Sequence, residues 1–254
     1  KLSVMADLPR RRSTQGPDWL RRISDRFTTT IKTLVLINLC VYLFYVFARD
    51  YRGFFQSHLA LGPGFFTGEL WQPFTSLFVH LDFLGFVLNN IGLWYAGVAI
   101  ERTSGARRCS MLFFGAGLAA NLTIAGVWKL RGFGPIPFVD GCAFSMTALF
   151  VAFARLYGRQ AVQFWPTTLM VQARYLAMIL IGIAAAVMLA QGNLPWLAGL
   201  AVAVGVGYFG AGPGGWSALR TWFANARDIS KARRLRRRFG VIEGGERRPK
   251  KYVN

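Results

Sequence analysis

Few side chains in this 254-residue sequence could break a covalent bond, and they are sparsely placed. There are two histidines, His58 and His80, so an imidazole general base must be one of them. Ser145 lies near the start of the run Asp140-Gly141-Cys142-Ala143-Phe144-Ser145-Met146-Thr147-Ala148-Leu149-Phe150. Its hydroxyl could act as a nucleophile only with a base in hydrogen-bond reach, and His80 is the candidate partner. Asn89 offers a side-chain amide that both donates and accepts hydrogen bonds. Cys40, Cys109 and Cys142 show no CxxC spacing and read as buried free thiols packing as small hydrophobes. Asp82, Glu101 and Asp140 are not spaced as a carboxylate pair or a metal site. Asp82 and Asp140 read as markers of the outer membrane boundary, and Glu101 as an ion-pair partner of Arg102, Arg107 or Arg108. No phosphate loop, haem or zinc motif is present, so neither a metal nor a cofactor is expected.

Several of these residues recur in a fixed order. Trp71-Gln72 is followed by Phe78-Val79-His80, then Gly85 and Asn89, then Gly97, Glu101 and Gly105 at four-residue spacing. The run from Gly141 to Ala154 follows, and Asn193-Leu194-Pro195-Trp196-Leu197-Ala198-Gly199 opens the last apolar segment. Over roughly residues 70–212 this order resembles the rhomboid intramembrane serine proteases. The resemblance implies a Gly-x-Ser nucleophile motif where this chain has Gly141-Cys142-Ala143. It implies a base histidine where this chain has Trp196, an arginine at Gln72 and a second histidine at Gly85. His80 and Asn89 match the residues that hold the oxyanion in active relatives. Ala143 has no Oγ, and the indole of Trp196 donates one hydrogen bond but cannot take up a proton. The expected reading is a protease scaffold without its nucleophile or base. Ser145 as a shifted nucleophile would lose the Gly141 match and lie on another helix face.

The elements that would position these residues are apolar helices. Hydrophobic residues make up 54% of the chain, charged residues 16%, and the mean hydropathy is +0.35. A soluble chain of this length needs more charge to wet its surface. Six apolar stretches approach the ~20 residues that cross a bilayer as a helix: 31–48, 74–97, 109–128, 141–157, 172–191 and 194–211. The fold class expected is an all-α membrane protein, a six-transmembrane-helix rhomboid-like bundle over 31–212. Ala148 and Ala152 on the fourth stretch, and Gly199, Ala203 and Gly207 on the sixth, form small-residue stripes that permit close helix approach in lipid.

The net charge is +19, and its distribution fixes a topology. If the spans alternate, every basic residue except Arg49, Arg52, Lys129 and Arg131 falls on one side. Basic residues stay cytoplasmic during insertion, so both termini should be cytoplasmic. Residues 1–30 form a basic leader in which Trp19, Leu20, Ile23 and Phe27 share one helical face, suited to the anionic leaflet. The leader is too polar and too long for a cleaved signal peptide, so the first span reads as a permanent anchor. Residues 49–73 and 129–140 are outer connections, the first aromatic-rich and suited to the membrane interface. Residues 213–254 form a basic amphipathic tail. Its apolar face includes Trp216 and Trp222, and the run Arg233, Arg234, Arg236, Arg237 and Arg238 follows.

These features favour lipid headgroups over nucleic acid as the counterpart of the charge, because membrane tethering already holds the tail beside them. The function expected is that of a non-catalytic rhomboid-like protein binding transmembrane clients or partner subunits. An adaptor role in membrane-protein quality control or complex assembly is what the resemblance to inactive relatives implies. The basic tail could recruit a cytoplasmic partner. The alternatives are an active intramembrane protease using Ser145, and a structural subunit of a larger membrane complex. A transporter fits less well, because the spans carry few ionisable groups near their middles. The location expected is a bacterial cytoplasmic membrane.

Overall fold

The computed structural model describes residues 28–132, 138–163 and 170–212. The bundle belongs to one compact unit, Lys1–Ala211, and Gly212–Asn254 forms a second. The leader face and the basic tail, including Trp216, Trp222 and Arg233 to Arg238, lie outside the described residues. In chain order the main elements are α1 (Thr29–Phe47), α2 (Phe83–Ser104), α3 (Ala106–Leu130), α4 (Ala143–Tyr157), a two-stranded ribbon of β1 (Ala161–Gln163) and β2 (Met170–Gln172), α5 (Ala173–Ala190) and α6 (Leu194–Ala211). All of these helices except α4 are long and apolar enough to cross a membrane; α4 is the shorter apolar helix. The protein is therefore a multi-pass integral membrane protein of all-α architecture.

The second helix starts later than its apolar run suggests. Gln72–Thr75 forms a separate helical turn, and α2 begins only at Phe83. Asp82 adopts extended backbone and accepts a hydrogen bond from the Gly85 amide at 2.6 Å, an N-cap that sets the helix start. His80 therefore lies in an irregular stretch ahead of α2, not within a membrane helix. A π-helical turn at Leu93–Gly97 interrupts α2 near its middle.

With 15 residues, α4 spans only about 22 Å, less than the ~30 Å apolar core of a bilayer. It can be short because it is the centre of the bundle, with Phe144, Ser145, Ala148, Leu149, Phe150, Val151, Ala152 and Phe153 all buried. The closest packing is of α6 against α3 and α4, while α1 and α5 are peripheral and bury little of their surface.

The small-residue stripe on α6 serves two neighbours. A Cβ on Gly207 would overlap the Ala148 carbonyl and lie 2.8 Å from the Ala148 Cα, so α6 touches the α4 backbone there. Ala148, Ala152 and Ala203 are fully buried. Gly199, one end of the same stripe, instead faces Ile124 and the Ala120 carbonyl on α3. The stripe joins α6 to α4 at one end and to α3 at the other.

Two polar anchors hold the helix ends. Glu101 accepts from the Thr28 hydroxyl, the Thr30 amide at 3.1 Å and the Ile31 amide at 3.2 Å. Where the sequence suggested an ion pair, these hydrogen bonds of the carboxylate cap the start of α1. Gln72 is fully buried, accepts from Gly62 at 2.9 Å and donates to the Ser57 carbonyl at 2.9 Å and to Glu69. It thereby fastens the connection between α1 and α2, so the position where an arginine was implied still carries an anchoring side chain.

Candidate functional site

The chain reaches the start of α4 through a short antiparallel contact with the stretch ahead of α2. Leu61 and Val139 exchange backbone hydrogen bonds at 2.9 Å, the Leu81 amide donates to Asp140 at 2.9 Å, and the Gly141 amide donates to the Val79 carbonyl. Gly141 sits at φ +77, a left-handed backbone that glycine adopts without strain. A Cβ there would also stand 2.9 Å from the Asn89 amide nitrogen and 3.3 Å from His80 Nε2. Gly141 is thus required twice, for its backbone angle and for the room it leaves.

This geometry brings His80, Asn89 and Gly141 together beside the first turn of α4. His80 and Asn89 are buried. His80 Nδ1 lies 3.2 Å from the Phe78 carbonyl, and Nε2 lies 4.0 Å from Cys142 Sγ. The Phe86 ring meets the imidazole edge-on, with centroids 5.6 Å apart. Burial lowers the His80 pKa from its ordinary value, and the Phe78 carbonyl and Asp82 oppose that shift only in part. Asp140 moves the other way: burial raises it, Asp82 adds to the rise, and the Leu81 amide opposes it.

Ala143 is the first residue of α4, and it is exposed. Its carbonyl accepts from the Thr147 hydroxyl at 2.9 Å, and its side chain is a methyl group. The next residue, Phe144, meets Trp196 of α6 edge-on, with ring centroids 6.1 Å apart. Trp196 packs into an apolar cluster with Leu61, Ile124, Val139 and Phe144, and its buried indole Nε1 has no hydrogen-bond partner among the described residues. The position where a base was expected is therefore occupied by an aromatic ring packed on apolar neighbours.

The remaining chemistry-capable residues lie elsewhere. Ser145 is fully buried, its hydroxyl has no partner among the described residues, and it faces Gly117 on α3. His58 lies in the α1–α2 connection, where Nδ1 meets Glu69 and its carbonyl accepts from Trp71 Nε1 at 2.9 Å. Neither histidine is on α6. No cluster of three or more potential metal ligands occurs among the described residues.

Sequence reasoning missed the polar contacts behind the site. Asn38 is fully buried within the apolar α1 and donates to Asn90 Oδ1 at 3.2 Å and to Cys142 Sγ at 3.9 Å. Asn121 on α3 donates to the Pro73 carbonyl and to the Ser76 hydroxyl, each at 2.9 Å. An asparagine inside an apolar run was the available signal, because such a group must find a partner in a membrane.

The family model of the Rhomboid domain matches residues 67–212, more than half of the chain. A comparison with curated proteins finds no match. The chain belongs to the rhomboid family.

Proposed function

We propose that this rhomboid-family membrane protein is a non-catalytic member, a pseudoprotease body that binds transmembrane partners. The observation that carries the reading is the methyl side chain of Ala143, exposed at the start of α4 two residues after Gly141, which packs against Asn89 and His80. Acyl transfer by a serine needs an Oγ at that point and a base to take its proton. Trp196, packed on Phe144, supports the same reading, since an indole takes no proton at ordinary pH. Ser145 supports the protease alternative poorly, because its hydroxyl faces α3 and not His80.

What remains is a bundle with two buried polar side chains, His80 and Asn89, at the head of a short central helix and two peripheral helices that bury little of their surface. Such a body can hold a client helix by close packing and by hydrogen bonds to exposed backbone. We infer that both termini are cytoplasmic and that the basic tail serves as a tether or a recruitment surface. A role in membrane-protein quality control or in assembly of a larger complex is what the resemblance to inactive relatives implies.

Activity-based labelling tests the catalytic half. Wild-type protein treated with a fluorophosphonate is expected to label no more than heat-denatured protein, and Ser145→Ala to change nothing. Robust labelling lost in Ser145→Ala would overturn the proposal. Affinity purification in mild detergent, with and without residues 217–254, tests the binding half. Membrane-protein partners are expected to persist in both, and recovery of none above background counts against it.

A further inference from the structure

Where α4 gives way to α5, three arginines are brought to one corner of the bundle. The register of the ribbon, Ala161 opposite Gln172, is extended by the Ala173 amide donating to the Gln160 carbonyl at 3.1 Å. Arg159 and Arg174 are the residues that flank this Gln160–Ala173 hydrogen bond. The Arg174 amide lies 3.4 Å from the Gly158 carbonyl, and a Cβ on Gly158 would stand 3.7 Å from the Arg174 Cβ. Arg155 lies one turn back on α4. All three arginines are exposed.

Like charges so placed repel unless an anion lies between them. The described carboxylates do not supply one. The acidic residues among the described positions are Asp50, Glu69, Asp82, Glu101 and Asp140. Of these only Glu101 is at this end, buried and occupied with the start of α1. Two of the guanidiniums are also held in place. Arg155 stacks 4.2 Å from the Tyr208 ring centroid and donates to the Tyr208 carbonyl. Arg174 stacks 4.7 Å from the Tyr175 centroid and donates to Gln172 at 2.9 Å. A fixed, planar guanidinium presents paired donors suited to a phosphate.

We propose that Arg155, Arg159 and Arg174 form a binding site for the phosphate headgroup of an anionic phospholipid. The surroundings select a lipid over a free anion or an acidic polypeptide. Tyr175 and Tyr208 are both about half exposed, as tyrosines at a membrane–water boundary are. One turn further along α5, Met178 and Ile179 are exposed on the apolar side and can meet acyl chains. The site does not depend on whether the protein cleaves anything.

Native mass spectrometry of the full-length protein in mild detergent tests this, titrating phosphatidylglycerol or phosphatidylcholine with identical chains. The first phosphatidylglycerol should bind roughly five-fold tighter for each arginine present, a preference reduced in Arg159→Gln and lost in the triple change of Arg155, Arg159 and Arg174 to Gln. Changing Arg233, Arg234 and Arg236 to Gln removes the same charge from the tail and should leave that first binding step intact. Arg159→Gln keeps the test open if the triple variant fails to fold, because this exposed side chain is not one of the two stacked on tyrosines. Equal binding in wild type and Arg159→Gln, equal loss in the tail variant, or equal competition by inorganic phosphate would each overturn the assignment.

Discussion

His80 is a buried imidazole beside Gly141 at the head of α4, and its protonation state decides what it can offer. Burial lowers its pKa by more than the Phe78 carbonyl and Asp82 raise it, so at neutral pH it is a neutral ring with one donor and one acceptor. The chain has two histidines, so His58→Gln leaves a single imidazole to follow. In that variant, the remaining ring resonance is expected to titrate below the ordinary value near 6.5, and a midpoint at or above it would contradict the burial argument. The sign of the stability effect follows. A folded-state pKa below the unfolded one means the unfolded chain binds more protons between the two. The His80 contribution is therefore fully present above about pH 6.5 and lost as pH falls through the folded value. Asp140, raised by burial, acts oppositely: its contribution is present below its unfolded pKa and lost as pH rises through the folded one.

Helix contacts set what can be substituted. Gly207 and Gly205 lie on the same helix, but a Cβ meets the α4 backbone at the first and open space at the second. Gly207→Ala should cost about 1–3 kcal/mol in detergent unfolding, by forcing α6 away from α4, while Gly205→Ala should be near neutral. Equal effects at the two positions would mean that α6 is rotated from this arrangement. Glu101→Ala should cost about 1–2 kcal/mol through the loss of its cap on α1, and Glu101→Gln less, since an amide oxygen still accepts. Thermal unfolding followed by circular dichroism measures both sets. The existence of these helices was legible in the sequence because each is an uninterrupted apolar run. The start of α2 was not, because Phe74 to Val79 is as apolar as a membrane helix and only the Asp82 cap separates them. Nor was the facing of Ser145 towards α3 or of Gly199 towards Ile124. A helix apolar on every side, as α6 is, carries no periodic signal of its rotation. That His80 and Asn89 belong beside the head of the fourth helix was implied by the family resemblance, whereas Glu101 capping a helix 70 residues away depended on a contact that no local pattern encodes.

At the scale of the molecule, charge orders the two ends of the bundle. The starts of α1, α3 and α5 and the ends of α2, α4 and α6 are tied together: Thr28 to Glu101, Thr103 to Tyr157, Arg155 to the Tyr208 carbonyl, Arg108 to the Gly210 carbonyl and the Arg174 amide to the Gly158 carbonyl. Among the described residues this end carries Lys32, Arg102, Arg107, Arg108, Arg155, Arg159 and Arg174, with Glu101 as its acid. The opposite end mixes Arg49, Arg52, Lys129 and Arg131 with Asp50, Glu69, Asp82 and Asp140. Lysine and arginine near span ends resist translocation while carboxylates contribute little, so the basic end should face the cytoplasm. The prediction is sharp because fusions report it in opposite directions. Green fluorescent protein joined after Asn254 should fluoresce, and alkaline phosphatase at the same point should be inactive. The phosphatase inserted after Arg131, at the far end of α3, should be active. The reverse pattern would place the arginine-rich end outside, and with it the corner formed by Arg155, Arg159 and Arg174. Native mass spectrometry in detergent would still find that corner's lipid preference, because it reads the protein surface without reference to a leaflet. The two measurements therefore separate where the basic end lies from what it binds.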